Sequence, residues 1–212
     1  VPQLINLFAT LILMLSFAMI SQRRIVSLIN LFAMQGAALV AASILLAYAT
    51  DQPHLYVSAG LTLLLKVILI PWMLHRMIRR LNVRWDVETL INIPTTMLVG
   101  IVLVISLALP ISRLSSSLAG GSLGIALACV LLAFMMMITR SKAVPQVIGF
   151  LSMENGLVFA ATTVTSGMPM IVEIGIALDV LVGVLILGVF LFQIREKFDS
   201  LDIRNLESLK ED

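Results

Sequence analysis

Seven runs of apolar residues, each closed by a short polar or charged break, govern what this chain can fold into. A run of roughly 18–20 apolar residues is the length at which an α-helix crosses the hydrocarbon core of a bilayer. The runs span 3–21, 25–48, 55–75, 91–110, 120–138, 146–165 and 171–194. Only 12% of the residues are charged while 60% are hydrophobic, and the mean hydropathy is +1.08. A soluble domain is about a quarter charged, so no water-facing surface can be built around so many apolar helices. The expected fold is an all-α membrane protein of seven transmembrane helices. The first run reads as a span and not as a cleaved leader, because six more follow it and no small-residue cleavage site ends it.

Basic residues set the expected orientation. Arg23 and Arg24 follow the first span, and Arg76, Arg79, Arg80 and Arg84 the third. Arg140 and Lys142 follow the fifth, and Arg195, Lys197, Arg204 and Lys210 the seventh. Seven passes put all of these on one side, which predicts an outer N-terminus and a cytoplasmic C-terminus by the positive-inside rule. The other side holds Arg113, and Lys66 lies inside a span. The four arginines after the third span read as a determinant of topology, with contact to anionic lipid heads as the weaker alternative. The net charge of +2 is a by-product of this asymmetry, so no nucleic-acid partner is implied. One cysteine, Cys129, and two histidines, His54 and His75 at opposite ends of one helix, leave no expected disulfide, haem or metal site in this chain. Pro71, Pro94 and Pro145 are read near span ends, where a missing N–H costs little.

Two stretches resemble each other: Met34-Gln-Gly-Ala-Ala-Leu-Val-Ala-Ala42 and Met153-Glu-Asn-Gly-Leu-Val-Phe-Ala-Ala161. Each lies in a helix that follows a short basic loop. Spans 1–3 and 5–7 therefore read as two parallel copies of a three-helix unit, with span 4 restoring the second copy to the orientation of the first. The expected division is 1–80 for the first repeat, 81–118 for the linker and fourth span, 119–194 for the second repeat and 195–212 for a cytoplasmic tail.

An ionisable group at bilayer depth costs at least a few kcal/mol, so each one demands a reason. Lys66 is halfway along span 3, while Glu154 and Asp179 fall in the middle third of spans 6 and 7. Buried carboxyls can take and release a proton, which makes these three the candidate proton path, with helix-gluing ion pairs as the structural alternative. Glu173, close to the outer surface, Gln35, at the place in the first repeat that Glu154 or its neighbour Asn155 holds in the second, and Asn155 itself are secondary candidates.

Polar residues at fixed places in apolar helices also carry a family resemblance. Spans 5–7 resemble the three-helix K subunit of respiratory complex I and its relatives in multisubunit cation/proton antiporters. The shared elements are a basic loop, Ile148-Gly149 leading to Glu154, and Asp179-Val-Leu-Val-Gly183, with Asp where that family more usually has Glu. A fuller match covers nearly the whole chain. Leu65 to Pro71, Gly149 to Gly156, Val172 to Asp179 and Leu201 to Lys210 resemble the hydrogenase-4 component E family. That resemblance implies a membrane-arm subunit of a group 4 energy-converting nickel–iron hydrogenase or related formate hydrogenlyase, in a bacterial or archaeal cytoplasmic (inner) membrane. It further implies antiporter-like and other membrane subunits as partners, beside the lipid bilayer. The nickel–iron and iron–sulfur centres would be held by those partners, leaving no cofactor, no metal and no redox centre here. Glu154 and Asp179 would then supply proton-path carboxylates, with Lys66 as partner or relay. A structural spacer in the same assembly, a free-standing transporter and Na⁺ in place of H⁺ remain open at this level.

Overall fold

The computed structural model describes residues 2–81, 89–114 and 118–165, together with Gly175, Leu178, Asp179, residues 181–183, Leu185 and Ile186. Most of the seventh apolar run, Glu173 and the tail from residue 195 lie outside the described residues. The fold is all-helical: α1 (Pro2–Ser21), α2 (Ile25–Thr50), α3 (Pro53–Thr62), a π-helical segment (Leu63–Leu69), α4 (Ile70–Leu81), α5 (Ile93–Leu114), α6 (Leu118–Thr139) and α7 (Ala143–Thr165). The described residues from Gly175 to Ile186 have helical backbone as well. Among the described residues, five stretches are long and apolar enough to cross a membrane: Gln3–Ser21, Ile25–Thr50, Leu55–Arg79, Gly121–Thr139 and Ala143–Thr163. Ile93–Ser106 is a shorter apolar helix. The chain is a multi-pass membrane protein.

Local chemistry explains where the helices turn. Asp51 closes α2 in the left-handed conformation, φ 53°, and its N–H bonds to the Ala47 carbonyl. Asp tolerates that region better than most residues, and Pro53 then opens α3 at a position whose N–H needs no partner. Two boundaries differ from the sequence reading. α5 continues past Pro110 to Leu114 and takes in Ser112, since a proline removes only one rung of the helical ladder.

Pro71 is not near a helix end: helical backbone runs unbroken from Pro53 to Leu81. The ring of Pro71 crowds the carbonyl four residues back and offers it no N–H. The π segment immediately before it widens the turn, with the Ile70 N–H reaching back to Leu65. Lys66 sits at the centre of that widened turn.

Small residues set the closest packing. A β-carbon added at Gly156 would lie 3.0 Å from Val130 Cγ2, 3.2 Å from its backbone nitrogen and 3.3 Å from the Ala126 carbonyl oxygen. One added at Gly149 would meet Met137 Cγ at 2.8 Å. Glycines seven residues apart on α7 thus let it lie against α6, the small-residue packing of helices in lipid. Gly36 on α2 packs against the π segment, where an added β-carbon would lie 3.3 Å from Val67 Cγ2 and 3.5 Å from Lys66 Cβ.

The buried apolar residues fall into two layers. One gathers Met19, Ile20, Ile25, Met77, Ile78, Met136 and Ile148 at the end of the bundle that carries Arg23, Arg24, Arg76 and Arg140. The other gathers Ala9, Ile12, Ala38, Ala42, Ala126 and Phe159 towards the opposite end. Helices α1, α2 and α7 contribute to both, and each carries buried polar side chains between them: Ser16, Gln35, and Glu154 with Asn155.

Candidate functional site

Lys66 is 2% exposed and Asp179 3%. Lys66 leaves the widened turn of the π segment beside Gly36 of α2 and reaches α7. Its Nζ donates to Asn155 Oδ1 at 2.9 Å, lies 3.1 Å from Glu154 Oε1 and 3.4 Å from Asp179 Oδ1. An ammonium has three protons, and three oxygens surround this one. The directed hydrogen bond goes to the amide. Both carboxylates are held as ion pairs. Gly175, one turn from Asp179, brings the last described helix against Glu154: a β-carbon there would be 3.3 Å from Oε1.

A second arm leaves the cluster sideways. Asn155 Nδ2 donates to Gln35 Oε1 at 3.2 Å, and Gln35 Nε2 donates to Ser16 Oγ at 2.9 Å. Ser16 ends the chain by donating to the Ile12 carbonyl, 2.9 Å away on its own helix. Buried side chains from α1, α2, the π segment, α7 and the 175–186 stretch are thereby joined into one polar layer. Amides orient a cation and link helices, but they pass no proton without changing tautomer. The titratable part of the layer is confined to Lys66, Glu154 and Asp179.

Five of the six candidates read from the sequence, Lys66, Glu154, Asp179, Gln35 and Asn155, meet in this layer, while Glu173 lies outside the described residues. Two functional-looking groups escaped the sequence reading. Ser16 carries no sequence signal, because a serine bonding its own helix is routine in apolar helices. Arg140 read as a loop charge, yet it is 1% exposed. Its Nη2 donates to the Ile20 carbonyl at 2.5 Å and reaches Met19 O at 3.4 Å, closing the C-terminal end of α1, where a cation is favoured. Burial lowers its pKa from the ordinary arginine value. Gln146 Nε2 in turn donates to the Arg140 carbonyl at 2.8 Å.

Among the described residues no group of three His, Cys, Asp or Glu could hold a metal ion. Cys129 is buried and free.

Comparison with known proteins gives full-length relatives. The chain is 31% identical over 213 residues to the uncharacterized protein Rv0085 of Mycobacterium tuberculosis, covering 98% of this chain and 96% of that one. It is 24% identical over 210 residues to hydrogenase-4 component E of Escherichia coli K12, covering 98% and 97%. The Shigella flexneri hydrogenase-4 component E matches to the same extent. No family model matches the chain, and no solved structure is similar to it.

Proposed function

This chain belongs to the family of the mycobacterial protein Rv0085 and is a distant full-length homologue of hydrogenase-4 component E; on that premise we propose that it is a membrane-arm subunit of a complex I-like energy-converting hydrogenase. Its part is to contribute buried carboxylates to a proton path driven by redox chemistry in other subunits. Seven spans in an N-out, C-in arrangement, with two parallel three-helix repeats of which the second is like the complex I K subunit, complete the reading. The partners are antiporter-like membrane subunits, and they hold the nickel–iron and iron–sulfur centres.

One observation carries the reading: a single lysine lies between two carboxylates from two other helical stretches, all buried at the level between the two apolar layers. Two carboxylates and one ammonium sum to one negative charge, and a buried net charge in a bilayer is expensive. One further proton makes the triad neutral. Exchanging that proton between Glu154 and Asp179, with Lys66 biasing which carboxyl holds it, is what such a cluster does at least cost. A sodium ion could supply the same charge, and replacing Na⁺ by K⁺ in the assay separates the two.

The test is redox-driven proton uptake by proteoliposomes of the whole complex, with subunit stoichiometry checked first. Glu154→Gln and Asp179→Asn are expected to assemble and to keep electron transfer while pumping falls at least tenfold. Unchanged pumping per electron would remove the carboxylates from the path. The amide arm through Asn155, Gln35 and Ser16 favours the second reading, a spacer whose polar groups only bind helices. A spacer predicts loss of assembly from the same substitutions with no change in stoichiometry of the complex that survives.

A further inference from the structure

α4 is two-sided. Ile70, Leu74, Met77 and Ile78 are buried against the bundle, while Trp72, Arg76 and Arg79 face outward. Along the outward face runs an open groove of about 710 Å³, lined by Ile68, Pro71, Trp72, His75, Arg76 and Arg79 among others. We infer that this groove holds an anionic phospholipid, its acyl chain against Ile68 and its phosphate on Arg76 and Arg79.

The order of the lining residues is the argument. Eleven residues separate Ile68 from Arg79, about 16 Å at 1.5 Å per residue, close to half of the roughly 30 Å hydrocarbon thickness. Over that length the lining passes from aliphatic through Trp72 to two guanidinium groups. This is the polarity profile of one lipid in one leaflet, with the indole about 6 Å along the helix from Ile68, at the level of the acyl chain, and the guanidinium groups at the headgroup end. The Arg76 guanidinium lies over the Trp72 ring, 5.3 Å from its centroid, which holds it beside the groove before any ligand arrives. Neither Arg76 nor Arg79 is in an ion pair among the described residues, and a guanidinium fork matches a phosphate with two hydrogen bonds. A topology signal needs only the charge. It has no use for the stacked indole or the graded groove. An acidic protein segment would answer the arginines but leave Ile68 and the indole without a matching apolar partner.

The full-length chain is reconstituted in vesicles of phosphatidylcholine containing phosphatidylglycerol, extracted, and its retained lipid counted by native mass spectrometry. Wild type should retain phosphatidylglycerol preferentially. Arg76→Gln should lower that preference about fivefold and Arg76→Gln/Arg79→Gln about thirtyfold, at about one elementary attraction per arginine. Arg23→Gln/Arg24→Gln, on the same side but outside the groove, should leave it intact. An unchanged preference in the Arg76/Arg79 variant, or an equal loss in the Arg23/Arg24 variant, overturns the proposal. A photo-reactive residue at position 68, with every arginine in place, gives a readout that no folding defect of an arginine variant can mask. In the native complex it should label lipid, and labelling of a neighbouring protein would sink the idea. None of these outcomes depends on whether the carboxylates carry protons.

Discussion

A lysine that is 2% exposed, its ammonium facing Asn155, Glu154 and Asp179, has exchanged bulk solvent for protein oxygens. The exchange is balanced only while both kinds of charge are present. Removing the cation alone leaves two carboxylates buried side by side, and a broken buried pair costs about 3–5 kcal/mol, whereas removing every charge is close to neutral. Lys66→Met is therefore expected to lower the thermal stability of the detergent-solubilised protein severely. The triple variant Lys66→Met, Glu154→Gln, Asp179→Asn should recover most of the loss, followed by thermal unfolding with circular dichroism. If the triple variant is as unstable as the single one, the lysine stabilises by packing and not by charge. The residue types of this cluster were legible in the sequence because ionisable groups stand out in apolar runs. Their mutual contact was not, since Lys66 and Asn155 are 89 positions apart.

Among the elements, α6 and α7 depend on side chains that are missing. Gly156 meets both the backbone and the side chain of Val130, so Gly156→Val forces α7 away from α6. Overpacking of this kind costs about 1–3 kcal/mol. Gly121, on α6 with nothing within 4 Å of its missing β-carbon, is the matched control, and Gly121→Ala should stay within about 0.5 kcal/mol of wild type. Both are read by thermal unfolding in the same detergent, and equal effects would mean that the glycines of this pair act through helix propensity alone. The apolar lengths announced these helices plainly. The π segment was hidden, because a proline ten residues before the end of a helical stretch marks a break in the ladder without saying how the ladder absorbs it. Here the turn widens, and that widening carries the lysine.

At the scale of the whole molecule, Arg140 ties the connection between α6 and α7 to the end of α1, about 120 positions earlier. It acts as a distant C-cap. Hydrogen bonds from a charged donor are worth about 1.5–3 kcal/mol each, so Arg140→Gln should destabilise by that order. It should also open the Ser21–Arg24 turn to protease in detergent. A variant that unfolds earlier while this turn stays protected would show that Arg140 acts elsewhere.

The amino-acid sequence by itself determined that the chain lives in a bilayer as long apolar helices, and which polar residues must find partners there. It did so because hydrocarbon admits no unpaired backbone and penalises every charge, which makes both signals local. Only the tertiary structure decided that the charges from three helical stretches meet at one ammonium, that two amides and a serine extend this meeting across to α1, and that an arginine counted as a loop charge is buried against a distant helix end. These are contacts between residues far apart in the chain, and their geometry is set by how closely small residues let the helices approach.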